Sequence, residues 1–170
     1  AYGVIVPLVN NRADAQQAVA ACRYPPDGNR SFGPIRAALY GGRGYAAEAN
    51  QHIACIAMIE TQEGLRNLDE ILMTPGLNGI YIGPSDLALA LGMPPIGDTD
   101  DLGHMETVLR ILESCHNHGV PVGIHTSSLD YCQKRLAMGF DFITLGSDAG
   151  FMSRTAALEL NAARGTANIS

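Results

Sequence analysis

Five short segments of the chain are almost continuously apolar and rich in β-branched residues: Gly3–Pro7, Ile53–Glu60, Gly79–Gly83, Val120–His125 and Phe140–Gly146. Strands buried on both faces read this way, because neither face alternates with solvent. Between and after them, apolar positions recur at helical spacing over Arg12–Cys22, Glu63–Met73, Met105–His118, Leu129–Met138 and Ala149–Arg164. A strand followed by a helix, five times over, predicts parallel pairing through right-handed crossovers and an α/β class.

The polar residues choose among α/β folds, because they gather just past the strand ends: Glu60, Gly83-Pro84-Ser85-Asp86, His125-Thr126-Ser127-Ser128 and Gly146-Ser147-Asp148. A (β/α)8 TIM barrel puts its active site on that rim. A whole barrel has eight strands and typically about 250 residues. Five units in 170 residues are therefore expected to be an incomplete barrel, lacking about three N-terminal βα units upstream of Ala1. The opening run, which starts at Ala1 and not at Met, reads as a strand in mid-flow.

One irregular stretch, Tyr24–Asn50, carries turn signals at Pro25-Pro26-Asp27-Gly28 and Gly41-Gly42-Arg43-Gly44, with a short helical Ile35–Leu39 between them. Its Arg23, Arg30 and Arg36 are expected to be solvated or to meet a partner. No linker-like composition divides the chain, so residues 1–170 are read as a single domain.

Composition narrows the function. A 46% hydrophobic content supplies a core, while no stretch approaches the roughly 18 apolar residues of a membrane span. Eleven Lys and Arg against 17 Asp and Glu give a net charge of −6, which offers no attraction to a phosphate backbone or an anionic membrane. Neither nucleic acid nor a membrane is expected as a partner. Cys22, Cys55, Cys115 and Cys132 include no CxxC pair and are expected reduced and packed. With no leader-like opening, the expected location is cytoplasmic.

Glu60 ends an apolar strand, where a carboxylate is costly unless it is paired, protonated or metal-bound. Asp86 follows the next strand, so the two carboxylates are expected within reach of one divalent cation. The alternative for Asp86 is capping the helix before Leu87. The Gly83-Pro84-Ser85-Asp86 turn also offers the backbone N–H groups of Ser85 and Asp86 to a carboxylate; alternatively, Gly83 only provides the backbone angles of a tight turn. His125 is read as a polar wall residue facing substrate. Surface roles are expected for His52, His104, His116 and His118, and Ser147-Asp148 is expected to cap the last helix. No G-x-S-x-G elbow, P-loop or G-x-G-x-x-G turn occurs.

Taken together, Gly3-Val4-Ile5-Val6-Pro7-Leu8-Val9-Asn10, the Arg23–Pro34 segment, Met58-Ile59-Glu60-Thr61, the Gly79–Leu87 segment and Gly146-Ser147-Asp148 resemble the HpcH/HpaI family of class II, metal-dependent aldolases. The resemblance implies a (β/α)8 barrel of the phosphoenolpyruvate/pyruvate type, here its last five βα units, often in a homo-oligomer with exchanged C-terminal helices. It implies that Glu60 and Asp86 hold Mg²⁺, Mn²⁺ or Co²⁺, and that Gly83, Pro84, Ser85 and Asp86 receive pyruvate or a related 2-oxo acid. A metal-stabilised enolate would then link a 4-hydroxy-2-oxo acid to its 2-oxo acid and aldehyde. Many members carry Gln where this chain has Met58, so no role is transferred to that position. The family's catalytic His and substrate-polarising Arg belong to early strands, so these residues are expected upstream of Ala1. Two rival readings keep the same fold: a CoA-thioester lyase of the citrate lyase β-subunit type, with a basic surface near Arg23–Arg36 for the CoA phosphates, and a non-catalytic remnant acting in assembly.

Overall fold

The computed structural model describes residues 1–165; residues 166–170, the end of the expected single domain, lie outside the described residues. In chain order the elements are β1 (Gly3–Val6), α1 (Arg12–Cys22), α2 (Ile35–Gly41), α3 (Tyr45–His52), β2 (Ala54–Ile59), α4 (Gln62–Arg66), α5 (Leu68–Leu72), β3 (Gly79–Ile82), α6 (Pro84–Ala90), α7 (Leu102–Asn117), β4 (Val122–Thr126), α8 (Leu129–Ala137), β5 (Phe142–Leu145) and α9 (Asp148–Ala163). All four strand pairs are parallel, and the order in space is the order in the chain, β1-β2-β3-β4-β5. A doubly wound sheet would reverse direction at a switch point. This sheet winds one way only, and the five strands form the curled half-barrel of an α/β barrel fold.

Register sorts the strand residues into two faces. Ile59, Ile82, Ile124 and Ile143 are mutual partners across β2 to β5. They pack outward with Leu65, Leu68, Ile71, Leu87, Val108 and Ile111 of the helices. Three of these isoleucines, Ile59, Ile82 and Ile124, are fully buried, each worth about 1.5–3 kcal/mol of apolar burial. One residue earlier, Met58, Tyr81, Gly123 and Phe142 form the matching inner row. Tyr81 and Phe142 stack at 6.0 Å between centroids. Only glycine fits between them, since a Cβ on Gly123 would lie 2.2 Å from the Phe142 ring.

Side chains cap several helices: Asn11 for α1, Ser128 for α8 and, as the sequence predicts, Ser147 for α9 each accept a first-turn N–H. Four expectations need correction. The helix expected over Glu63–Met73 breaks at Asn67, which ends α4 and begins α5 while its Nδ2 donates to Asn10 O at 2.9 Å. The stretch Tyr24–Asn50 contains most of a second helix, α3, around the buried Ala49. His104 is no surface residue: it is fully buried, its Nε2 3.0 Å from Pro84 O. Arg23 is also buried, and its guanidinium donates to Ile53 O at 2.6 Å, Gly76 O at 3.2 Å and Asn78 Oδ1 at 2.9 Å. Both polar side chains find carbonyl partners that only tertiary packing supplies. Cys22, Cys55 and Cys115 are buried, Cys132 is half-buried, and all four are free thiols. Among the described residues no helix is long and apolar enough to cross a membrane.

Candidate active site

Alternation along β2 places Glu60 on the inner face, on the side of Met58, just past the last strand residue. It is 4% exposed. Its Oε1 accepts the Leu8 N–H at 2.9 Å. Leu8, in the loop after β1, has φ 54; this left-handed backbone is uncommon for a leucine and marks a locally constrained site. Asn10 and Thr61 bond through their side chains, and Thr61 Oγ1 caps α4 by accepting the Gly64 N–H at 3.0 Å. Residues just past β1 and β2 are thus tied together around the carboxylate. Burial raises the Glu60 pKa above its ordinary value, the Leu8 N–H draws it partly back, and the negative charge of Asp86 pushes it up again.

The neighbouring strand supplies the turn into α6. Gly83 is the N-cap residue, with φ −89 and ψ 90 and no side-chain cap bond, and Pro84 opens the helix. Those angles are open to any residue, which corrects the reading of Gly83 as a special turn conformer. Its smallness is what the site uses: a Cβ there would lie 2.3 Å from Glu60 Oε2 and 2.9 Å from Met58 Sδ. Asp86 lies inside the first turn of α6 and is not its cap, because the helix begins two residues earlier. Its carboxylate is exposed. Pro84 has no N–H, so Ser85 and Asp86 are the first amides of this helix. The Pro84 carbonyl is held from below by His104.

His125 continues the same rim on β4, half-buried, with Nδ1 2.9 Å from Thr144 Oγ1 of β5. Thr144 Oγ1 is also bonded to the Tyr81 hydroxyl. Asp98 secures the following loop, accepting the Ser127 N–H at 3.0 Å and the Ser128 hydroxyl at 3.0 Å. His125, Ser127, Ser147 and Arg154 line a cavity of about 230 Å³ at the start of α9.

Glu60, Gly83 and Asp86 therefore meet on one side of the rim, and His125 stands further along it. Among the described residues no group of three or more His, Cys, Asp or Glu gathers as a ready metal cluster. Two carboxylates remain, one buried with an oxygen facing the gap that glycine leaves open. This hard-oxygen pair suits a divalent cation that completes its shell with water or ligand oxygens. Sequence reasoning did not single out Leu8, which acts through its backbone, or Tyr81 and Thr144, whose pairing spans 63 residues of chain.

Parallel strands wound in one direction, with carboxylates and helix-start amides at their C-terminal ends, define an α/β barrel protein with a rim site. More narrowly, the chain belongs to the HpcH/HpaI aldolase/citrate lyase family, whose sequence profile matches residues 1–155. It is 45% identical over 156 residues to a hydroxypyruvate/pyruvate aldolase of Rhizorhabdus wittichii, covering 92% of this chain and 62% of that protein. A 5-keto-4-deoxy-D-glucarate aldolase of Escherichia coli is 38% identical over 157 residues, 91% of this chain and 60% of that one. The crystal structure of an HpcH/HpaI aldolase/citrate lyase family protein from Burkholderia cenocepacia superposes with TM-score 0.83 at 30% identity, covering 96% of this chain and 65% of that one. The chain spans about three-fifths of the length of the curated relatives it matches.

Proposed function

We propose that this chain carries the cation and 2-oxo acid site of a class II aldolase, a carbon–carbon lyase that splits 4-hydroxy-2-oxo acids into pyruvate or a close analogue plus an aldehyde. The observation that carries this reading is the pair Glu60 and Asp86 at successive strand ends, where the charge of Asp86 acts on Glu60 and Glu60 Oε2 faces the space beside Gly83. Glu60 and Asp86 would hold Mg²⁺, Mn²⁺ or Co²⁺. Such an ion supplies Lewis acidity toward the oxygens of a 2-oxo acid and so favours breaking the bond one carbon further along.

The chain's own groups orient the substrate. The amides of Ser85 and Asp86 receive its carboxylate at the start of α6, and Pro84 keeps that helix start rigid against His104. Leu8 holds Glu60 by one oxygen and leaves Oε2 free to face the ligand. The aldolase names of relatives at 45% and 38% identity support the lyase class. Two further observations support finer points. In α9 no residue is buried, and Phe151, Met152, Leu158 and Leu160 are 42–70% exposed, which fits a homo-oligomer. Four free thiols fit a reducing, cytoplasmic setting.

Of the three arginines that the CoA-thioester reading would use, only Arg36 is exposed. Arg23 is spent on three internal bonds, and Arg30 lies over the Tyr24 ring at 4.5 Å with Nη2 donating to Tyr45 Oη. Calorimetric titration of pyruvate tests the proposal. Binding that needs a divalent cation and vanishes in Glu60→Gln supports it, and binding that persists after chelation overturns it.

A further inference from the structure

Beyond Glu60 and the Pro84 turn, the inner wall holds a hydrogen-bonded chain, Tyr81–Thr144–His125, whose first link can be oriented by counting donors. Tyr81 is 5% exposed and stacked on Phe142. Among the described residues its hydroxyl has one hydrogen-bond partner, Thr144 Oγ1, and Thr144 Oγ1 has one other, His125 Nδ1. Burial pushes the Tyr81 phenol above its ordinary value, and the threonine hydroxyl pulls it partly back. The phenol therefore keeps its proton at neutral pH and must place it on an acceptor. Thr144 Oγ1 is that acceptor, which leaves the threonine's own proton free to point to His125 Nδ1, 2.9 Å away. An imidazole that accepts there carries its proton on Nε2. The opposite direction would leave the phenol proton without an acceptor among the described residues.

We propose that Thr144 is a positioning residue that relays the Tyr81 donor to His125 and fixes the Nε2–H tautomer, and that His125 gives this N–H to the hydroxyl oxygen of a short hydroxylated aldehyde. The role of that aldehyde as reaction partner rests on the aldolase reading; the tautomer and the ligand class do not. His125 is two strands along the rim from Glu60, about 10 Å at the spacing of a sheet, which leaves room for a three-carbon oxo acid between them. On its other side lies the 230 Å³ cavity, where Ser127, Ser147 and Arg154 add further polar groups. Ligand hydroxyls satisfy such donors, whereas a purely alkyl aldehyde leaves them unpaired.

Nitrogen-15 NMR of the histidine-labelled chain reads this directly, with His125→Gln to assign the signals. The expected spectrum has a protonated Nε2 and an unprotonated, hydrogen-bonded Nδ1. Thr144→Val should move Nδ1 to the position of an unbonded ring nitrogen, and Tyr81→Phe should move it part of the way. Glycolaldehyde should shift Nε2 at about a tenth of the concentration that propanal needs, the effect of one hydrogen bond, and Thr144→Val should erase that preference. A proton on Nδ1, a Thr144→Val spectrum like the wild type, or an equal or absent response to the two aldehydes would each overturn the proposal. Pyruvate with Mg²⁺, followed at the amides of Ser85 and Asp86, separates the two readings. No response there refutes the aldolase reading while leaving the histidine result standing, and the converse pattern removes only His125.

Discussion

Gly83 and Glu60 are fitted to each other: a Cβ on Gly83 would come 2.3 Å from Glu60 Oε2, although the backbone angles at Gly83 suit any residue. The glycine keeps an opening beside a buried carboxylate. Gly83→Ala should therefore push the Glu60 side chain off its bond to Leu8, cost about 1–3 kcal/mol as overpacked sites do, and abolish divalent cation binding. Urea denaturation together with metal titration of the variant checks both effects.

Charge on Glu60 should itself weaken the fold. Its pKa in the folded chain is raised above the ordinary 4.5, chiefly by burial. Between those two values the folded chain binds more protons than the unfolded one, so stability falls as pH rises through that window. The cost is complete above the folded pKa and absent well below 4.5. Glu60→Gln, without metal, should melt a few degrees higher than the wild type at pH 8, on the order of one kcal/mol for a domain of this size. The two should converge near pH 3. Melting curves across pH check this, and a difference that grows toward low pH would contradict it.

His104 should act as a strut. Pro84 O can only accept, so the ring donates from Nε2, while its buried Nδ1 has no partner among the described residues. His104→Ala removes both the bond and the packing beneath α6, with an expected loss of about 2–4 kcal/mol. Faster amide exchange at Leu87, in the first turn of α6, would locate the effect.

Arg23 ties the start of β2 to the approach to β3 through Ile53, Gly76 and Asn78. Arg23→Met should cost on the order of 3 kcal/mol, since three acceptors lose a charged donor. It should leave the affinity for CoA, followed by calorimetry, unchanged from the wild type.

The strands and the rim were legible because their signals are local. Uninterrupted β-branched runs mark the strands, although burial on both faces holds in full only for β3, while β1 and β5 carry exposed residues; Glu60 and Asp86 stand out as acids at the ends of such runs. What escaped depends on distant partners. The break at Asn67 follows from its bond to Asn10 O, 57 residues away. The burial of His104 needs the Pro84 carbonyl, that of Arg23 needs three acceptors from two loops, and the support of Glu60 by Leu8 uses a backbone amide that no side chain announces.

The most direct measurement is calorimetric titration of Mn²⁺ into the metal-stripped chain, with and without pyruvate, beside Glu60→Gln and Asp86→Asn. Saturable binding that pyruvate tightens and that both substitutions remove is the predicted result. A folded sample that binds no Mn²⁺, or binding that survives both substitutions, would contradict the assignment of Glu60 and Asp86 as the cation site.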